Sequence, residues 1–551
     1  PAAMLARLDK RLPLLTGGAR DLPRRQRALR ETIAWSYDLL TPEEQALFRR
    51  LSYFSGGMTL DAAEYVGPPE GMLDTVGGLE RLVEHSLLQI ANHPDDQSRF
   101  RMLETIREFG LERLHENREG DTTSARHLGY FLDLAELAAS ELEGPRPGPW
   151  LDRLEVEHDN LGLALAWAID LPDGAVARRL AAALWPFWNT RGHFSEGLAW
   201  LERVLARDGD EPKPAYAAVL TGAGSIARMQ GDLGRATELL EQALAIRREL
   251  ADRVGVANVL MVLGHVAERQ GDLGGAGASF EDALAIGREI DEPSLVGAAL
   301  INLGIVADQQ GAHERAVARY EDALAIFRRL GDRRHESIAL DNLGIATQSQ
   351  GDLAQAARYY EAALAISRDL GDAWGIAGTL GNLGIVAQSR GDLERARAVF
   401  EESLAGFRTL GDPRGMANAL GNLGDVARST GDLAHAAALH HEALTLARDL
   451  DDRIGVAFGL EGIAAVLAAA GTHDRAIELL GAADALRAAV GAPLPPENRP
   501  DRDRVIAGAR AALDDARFSS CWEAGSALPW GEAVAGALHR AGETAREPAS
   551  R

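Results

Sequence analysis

One cysteine, Cys521, and two lysines, Lys10 and Lys213, are all that 551 residues contain of those types. A lone cysteine has no partner for an internal disulfide, and a reducing cytoplasm is the economical expectation. A P-loop needs Gly-x-x-x-x-Gly-Lys-Ser/Thr, because its lysine must reach the β- and γ-phosphates. Neither lysine stands in that setting, so no Walker A site, no nucleotide hydrolysis and no cofactor are expected of these residues. No apolar run reaches the ~18–20 residues needed to cross a bilayer, and no hydrophobic leader opens the chain, so no membrane partner is expected. Positive charge is short as well: the net charge is −24, which opposes attraction to nucleic-acid phosphate. Aromatics make up only 5%, while 46% of residues are hydrophobic, enough to bury a large core spread over several domains.

What is present is a repeat. Gly231, Gly271, Gly311, Gly351, Gly391, Gly431 and Gly471 stand 40 residues apart, five of them within Gly-Asp-Leu. A first helix ends before each glycine, as in "NLGIVADQQ" and "NLGIVAQSR", and a second follows, as in "ERAVARYEDALAIF". Leu303-Gly304, Leu343-Gly344 and Leu383-Gly384 recur on the first helix, with Phe280, Tyr320, Tyr360 and Phe400 in one register on the second. A glycine on one helix lets its partner approach closely, and the aromatic fills the space beside it. Such hairpins are apolar on two faces and must stack on neighbours. Leu303, Gly304, Ala307, Gly311, Ala316, Tyr320 and Ala323 resemble the tetratricopeptide pattern. The usual period is about 34 residues; the longer form resembles repeats of kinesin light chains, spindle-orientation adaptors and bacterial sensor arms. The expectation is an all-α fold: a right-handed solenoid of seven repeats over 211–490, with a degenerate unit ending near 192–205.

The segment 24–118 has a different grammar. A helix carrying Leu29, Ile33, Tyr37 and Leu40 is followed by Thr41-Pro42-Glu43-Glu44, a capping-box start. The next helix should bury Leu47, Leu51 and Phe54, Thr59 should open a short third, and Met72–His85 should form a fourth with Leu73, Val76, Leu79 and Val83. "LLQIA" and "RFRML" then read as one small β-hairpin. Helices closed by a hairpin make a winged helix, leaving 122–210 as a helical connector, 491–540 as a helical cap and 541–551 as a disordered tail.

"IAWSYDLLTPEEQALFRRLSYFSGG" and "RFRMLETIREFGLERL" resemble the winged-helix part of STAND-type signalling ATPases, as found in bacterial multidomain transcriptional regulators, here actinobacterial-like. "LPLLTGGARDLPRRQRALR" is similar to that family's linker after the nucleotide-binding domain, so the resemblance implies that 1–23 is a linker remnant and that such a domain precedes residue 1. In the family a Met-His-Asp motif ends the winged helix, its histidine contacting ADP. The matching positions are Met102, Leu103 and Glu104, and leucine has no donor for phosphate, which puts nucleotide sensing there in doubt.

A winged helix invites a DNA-binding reading, yet 24–115 holds 11 Arg against 15 Asp and Glu, the wrong balance for a duplex partner. His435, His440 and His441 lack a Glu-flanked i, i+4 pair or cysteine partner, so they read as solvated, and no metal is expected. Asn302, Asn342, Asn382 and Asn422 take the same first-helix position in four successive repeats, with Ile305, Ile345 and Ile385 three residues on. An amide both donates and accepts, so a ladder of them can read an extended peptide's backbone over an apolar floor; similar asparagines bind peptides in the adaptors the repeats resemble. The alternative is that they only join adjacent helices. The expected function is therefore a non-catalytic sensor arm binding a peptide, protein or small ligand in the solenoid groove. A stand-alone scaffold is the alternative, and a DNA-binding regulator a weaker one.

Overall fold

The computed structural model describes residues 24–67, 74–92, 98–142, 144, 147–207, 213–492, 494 and 498–544. Among them are 27 helices and one two-stranded sheet. By internal packing the chain divides within helix Arg253–Arg269 into two units, residues 1–262 and 263–551.

The first unit opens with the winged helix. Helix Arg24–Asp38 buries Ile33 and Tyr37. Thr41 accepts from the Glu44 N–H while the Glu44 carboxylate accepts from the Thr41 N–H, the capping box that starts Pro42–Leu51. Leu47, Leu51 and Phe54 are buried as expected, and Thr59 caps Leu60–Val66. β1 (Gln89–Asn92) pairs antiparallel with β2 (Ser98–Arg101), and Met58 bridges to Phe100 from outside the hairpin. Leu29 on the first helix is 49% exposed. The fourth helix runs from Thr75 to Glu84 rather than over Met72–His85, with Leu79 buried, Val83 half-buried and Val76 exposed. Met72 and Leu73 lie outside the described residues, as does the 1–23 linker.

The connector forms helices Gly120–Leu142, Gly148–Val156, His158–Asp170, Ala175–Arg191 and Phe194–Leu205. The last two are the degenerate hairpin, turned by Gly192 at φ +80°. Trp185 and Trp188 fill the space left by Gly222 and Gly197. The first full repeat pairs Lys213–Gln230 with Leu233–Glu249.

In the second unit the hairpins follow at the 40-residue period, from Pro293–Gln309 with His313–Leu330 to Arg453–Ala469 with His473–Val490. The Gly-Asp signature has a local cause. The glycine takes a left-handed conformation, φ +75° at Gly311 and +88° at Gly351, that ends the first helix. The aspartate then caps the second: Asp272, Asp352, Asp392 and Asp432 accept from the N–H three residues on at 2.8–3.1 Å. A Cβ placed at Gly264, Gly304, Gly344 or Gly384 would lie 2.4 Å from the ring of Phe280, Tyr320, Tyr360 or Phe400. His440 holds the next place in this series, against Gly424, and is 2% exposed, so it is a core residue rather than a solvated one. His435 is exposed and His441 half-buried.

Helices Arg499–Ala512, Asp515–Ala527 and Trp530–Thr544 pack on the apolar core of the final repeat, with Trp522 and Trp530 against it. The helix continues through Thr544 and buries Ala541, which corrects the tail assigned to 541–551; residues beyond 544 lie outside the described ones.

Candidate binding face of the repeats

Leu303, Leu343, Leu383 and Leu423 are buried, so the first helix of each hairpin turns its Leu-Gly pair toward the second helix. The preceding asparagine therefore sits at the edge of that contact. Asn302 is 9% exposed, and Asn342, Asn382 and Asn422 are half-buried. Asn302 donates to the Ala298 carbonyl at 3.2 Å and Asn342 to the Ile338 carbonyl at 2.9 Å, each within its own helix. That bond occupies one of the amide's two N–H groups. Asn382 differs. It donates across repeats to both carboxylate oxygens of Asp341, at 3.3 and 3.2 Å, and Thr379 donates to the same carboxylate at 3.1 Å.

Of the isoleucines, Ile345 is 39% exposed, while Ile305 and Ile385 are half-buried and Ile385 leans on the core. Ile338, one turn before Asn342, is also exposed. Of the three isoleucines in the row, the exposed one is thus in the repeat that begins at Arg333.

Acidic groups cluster beside it. Burial pushes the Asp341 carboxyl up from its ordinary value, opposed by the Asn382 and Thr379 hydrogen bonds. Burial also raises the Tyr320 hydroxyl, with Asp308 and Glu268 adding to the shift, and raises that of Tyr360, with Asp341 and Asp308 adding. Glu268 further accepts from Gln309 of the next first helix at 2.7 Å. Asp341 and Thr379 escaped the sequence reading because they occur in single repeats, outside the period that exposed the asparagines.

In the winged helix, Met102 is 7% exposed and Leu103 is 48% exposed at the N-cap of Glu104–Glu116. Glu104 pairs with Arg107 at 2.8 Å. A groove of about 400 Å³ runs beside Thr75–Glu84, lined by Leu60, Val76, Leu79, Val83, Ile90 and Phe100 together with Glu80 and Glu84. Among the described lining residues the charged ones are both glutamates.

The winged helix-turn-helix domain family matches residues 40–115. Tetratricopeptide repeat families match 217–253 and, in four overlapping windows, 255–449. A predicted HTH-type transcriptional regulator of Mycobacterium tuberculosis and Mycobacterium bovis is 35% identical over 267 residues, covering 46% of this chain and 30% of that protein. An uncharacterised M. tuberculosis protein is 34% identical over 130 residues, covering 23% of this chain and 33% of its own length. The chain thus spans about a third of the relatives it matches. Among solved structures, the STAND protein of Pyrococcus horikoshii with a tetratricopeptide repeat sensor aligns at TM-score 0.53 and 16% identity, over 89% of this chain and 66% of that one. The chain is a winged helix-turn-helix domain followed by tandem tetratricopeptide repeats, with the fold of that STAND sensor protein and sequence kinship to the mycobacterial regulators.

Proposed function

We propose that the chain is the sensor and protein-interaction arm of a STAND-type transcriptional regulator, and that its repeats receive a peptide or protein segment on the first-helix face. The observation that carries this reading is half-buried Asn342 with exposed Ile338 and Ile345 on the same helix, and half-buried Asn422 at the equivalent place two repeats on, while Asn302 of the same row is buried. Amides at a fixed spacing next to apolar side chains suit an extended backbone with alternating side chains. Kinship to regulators and the fold of a STAND sensor support the wider role. In this reading the winged helix relays occupancy to an upstream nucleotide-binding domain through protein contact rather than reading DNA. The carboxylates of Glu80 and Glu84 beside the groove would repel phosphate.

The test is a peptide library panned against the full chain, followed by affinity and melting measurements on variants. Replacing half-buried Asn342 and Asn422 together with Ala should weaken selected peptides by roughly tenfold to a hundredfold, at about 1 kcal/mol per lost hydrogen bond. The melting temperature should change little. Asn382→Ala should behave oppositely and lower stability, because it takes a donor from Asp341. Peptides that bind the double variant as well as the parent would move the site off this face. A P-loop in the coding sequence ahead of Pro1 would separate the sensor reading from a free-standing scaffold.

A further inference from the structure

We propose that Glu155, His158, His193 and Glu196 form a zinc site in the connector, independent of the repeat face. Sequence spacing hides it, since the two histidines stand 35 residues apart, but folding brings their rings to a centroid distance of 4.6 Å. The metal-binding atoms of Glu155, His158 and His193 all lie within 4.8 Å of one another. His193 Nε2 is 3.1 Å from Glu155 Oε2, and His158 Nε2 is 3.1 Å from Glu196 Oε1.

Three physical features favour a metal over two separate hydrogen bonds. Bonds of about 2.0–2.1 Å from zinc to nitrogen and oxygen give a tetrahedral edge near 3.3 Å, close to both nitrogen–oxygen separations. The longer cross-distances can close by rotamer changes of the glutamates, whose side chains are 43% and 46% exposed; the histidines are the more fixed members at 22% and 27%. The donor set also balances charge: two carboxylates neutralise a divalent ion while two imidazoles select a transition metal over magnesium or calcium.

The surroundings hold these ligands in place. Phe187 packs against both imidazoles, 5.6 Å from the His158 ring and 5.5 Å from the His193 ring. Trp200 Nε1–H donates to Glu196 Oε1 at 3.3 Å, the kind of outer contact that orients a metal ligand. The ligands come from helix ends. Glu155 closes Gly148–Val156, His158 opens His158–Asp170, and His193 caps Phe194–Leu205 directly after Gly192, with Glu196 in its first turn. An ion bound here would staple the degenerate hairpin to the preceding pair of helices, so its role is structural.

The test uses the full chain stripped with EDTA, titrated calorimetrically with Zn²⁺ and with Mg²⁺, and optically with Co²⁺ as a reporter of tetrahedral geometry. One Zn²⁺ per chain should bind, the melting temperature should rise with zinc, Co²⁺ should give intense visible bands, and Mg²⁺ should do nothing. His158→Ala with His193→Ala should weaken Zn²⁺ binding by at least ~100-fold and abolish the thermal shift. Glu155→Gln with Glu196→Gln keeps the side-chain volume and should show the same loss, which covers the case in which the histidine pair fails to fold. Zinc binding of undiminished affinity in a folded variant would overturn the proposal, as would the absence of saturable zinc binding by the parent chain.

Discussion

Arg99 on the second strand of the wing and Glu157 at the start of helix His158–Asp170 form a buried, two-pronged ion pair. Their side chains are 8% and 4% exposed. Arg99 also donates to the Gly57 carbonyl at 3.1 Å, and Asn160 Nδ2 donates to both that carbonyl and Glu157 Oε2. The Ser55 N–H completes the network by donating to Asn160 Oδ1 at 2.8 Å. Winged helix and connector are therefore joined by polar groups that satisfy one another, not by apolar contact alone.

Breaking this pair leaves a guanidinium buried without its carboxylate. Glu157→Ala should cost about 3–5 kcal/mol in urea denaturation. A loss below ~1 kcal/mol would mean that water reaches the site and that the pair does not join the two parts.

The glycine–aromatic contacts predict opposite signs for one chemical change. Gly344→Ala drives a methyl to within 2.4 Å of the Tyr360 ring and should destabilise by about 1–3 kcal/mol. Gly378→Ala, mid-helix with open space at its Cβ position, should stabilise by up to ~1 kcal/mol. Thermal melts of the two variants decide it: equal shifts would show that helix propensity, not close packing, dominates.

The second helix of several hairpins ends in a left-handed residue. At Gly331, Gly371 and Gly411 this is unstrained, but Ala251, Asp291 and Asp451 take φ of 53°, 55° and 50° at the same place in the period. Ala251→Gly and Asp451→Gly should each raise stability by about 1 kcal/mol, less the extra freedom gained by the unfolded chain. Chemical denaturation showing both variants less stable than the parent would contradict the strain argument.

His440 should make the second unit lose stability in acid. Burial lowers its pKa from 6.5 and Arg428 adds to this, while Asp425, 3.7 Å from Nε2, opposes it. A histidine held neutral contributes stability that is fully present above its unfolded pKa and is lost as pH falls through that value toward the folded one. His440→Phe, which restores the ring found at Phe400, should flatten the fall in urea midpoint between roughly pH 7.5 and pH 5. An unchanged slope would place the acid sensitivity elsewhere, and buried His127, pushed down to about 3, is the next group to replace.

Elements set by local chemistry were legible in the chain itself. Thr41 and Glu44 cap a helix through neighbours three residues away, and each Gly-Asp pair ends one helix and starts the next. Such signals act within one turn, and the 40-residue period repeated them often enough to reveal both the hairpins and the asparagine row. What depended on partners distant in sequence was not legible. His440 reads from the sequence as a surface residue, because its burial comes from Gly424 and Gly462, each on a neighbouring helix. Asn382 was grouped with its periodic equivalents, yet only it meets a carboxylate, Asp341 of the preceding repeat. His158 and His193 stand 35 residues apart and converge only when two helix pairs dock. Periodicity records which face a side chain occupies, whereas the partner it meets there depends on where another helix ends, and that is decided in three dimensions.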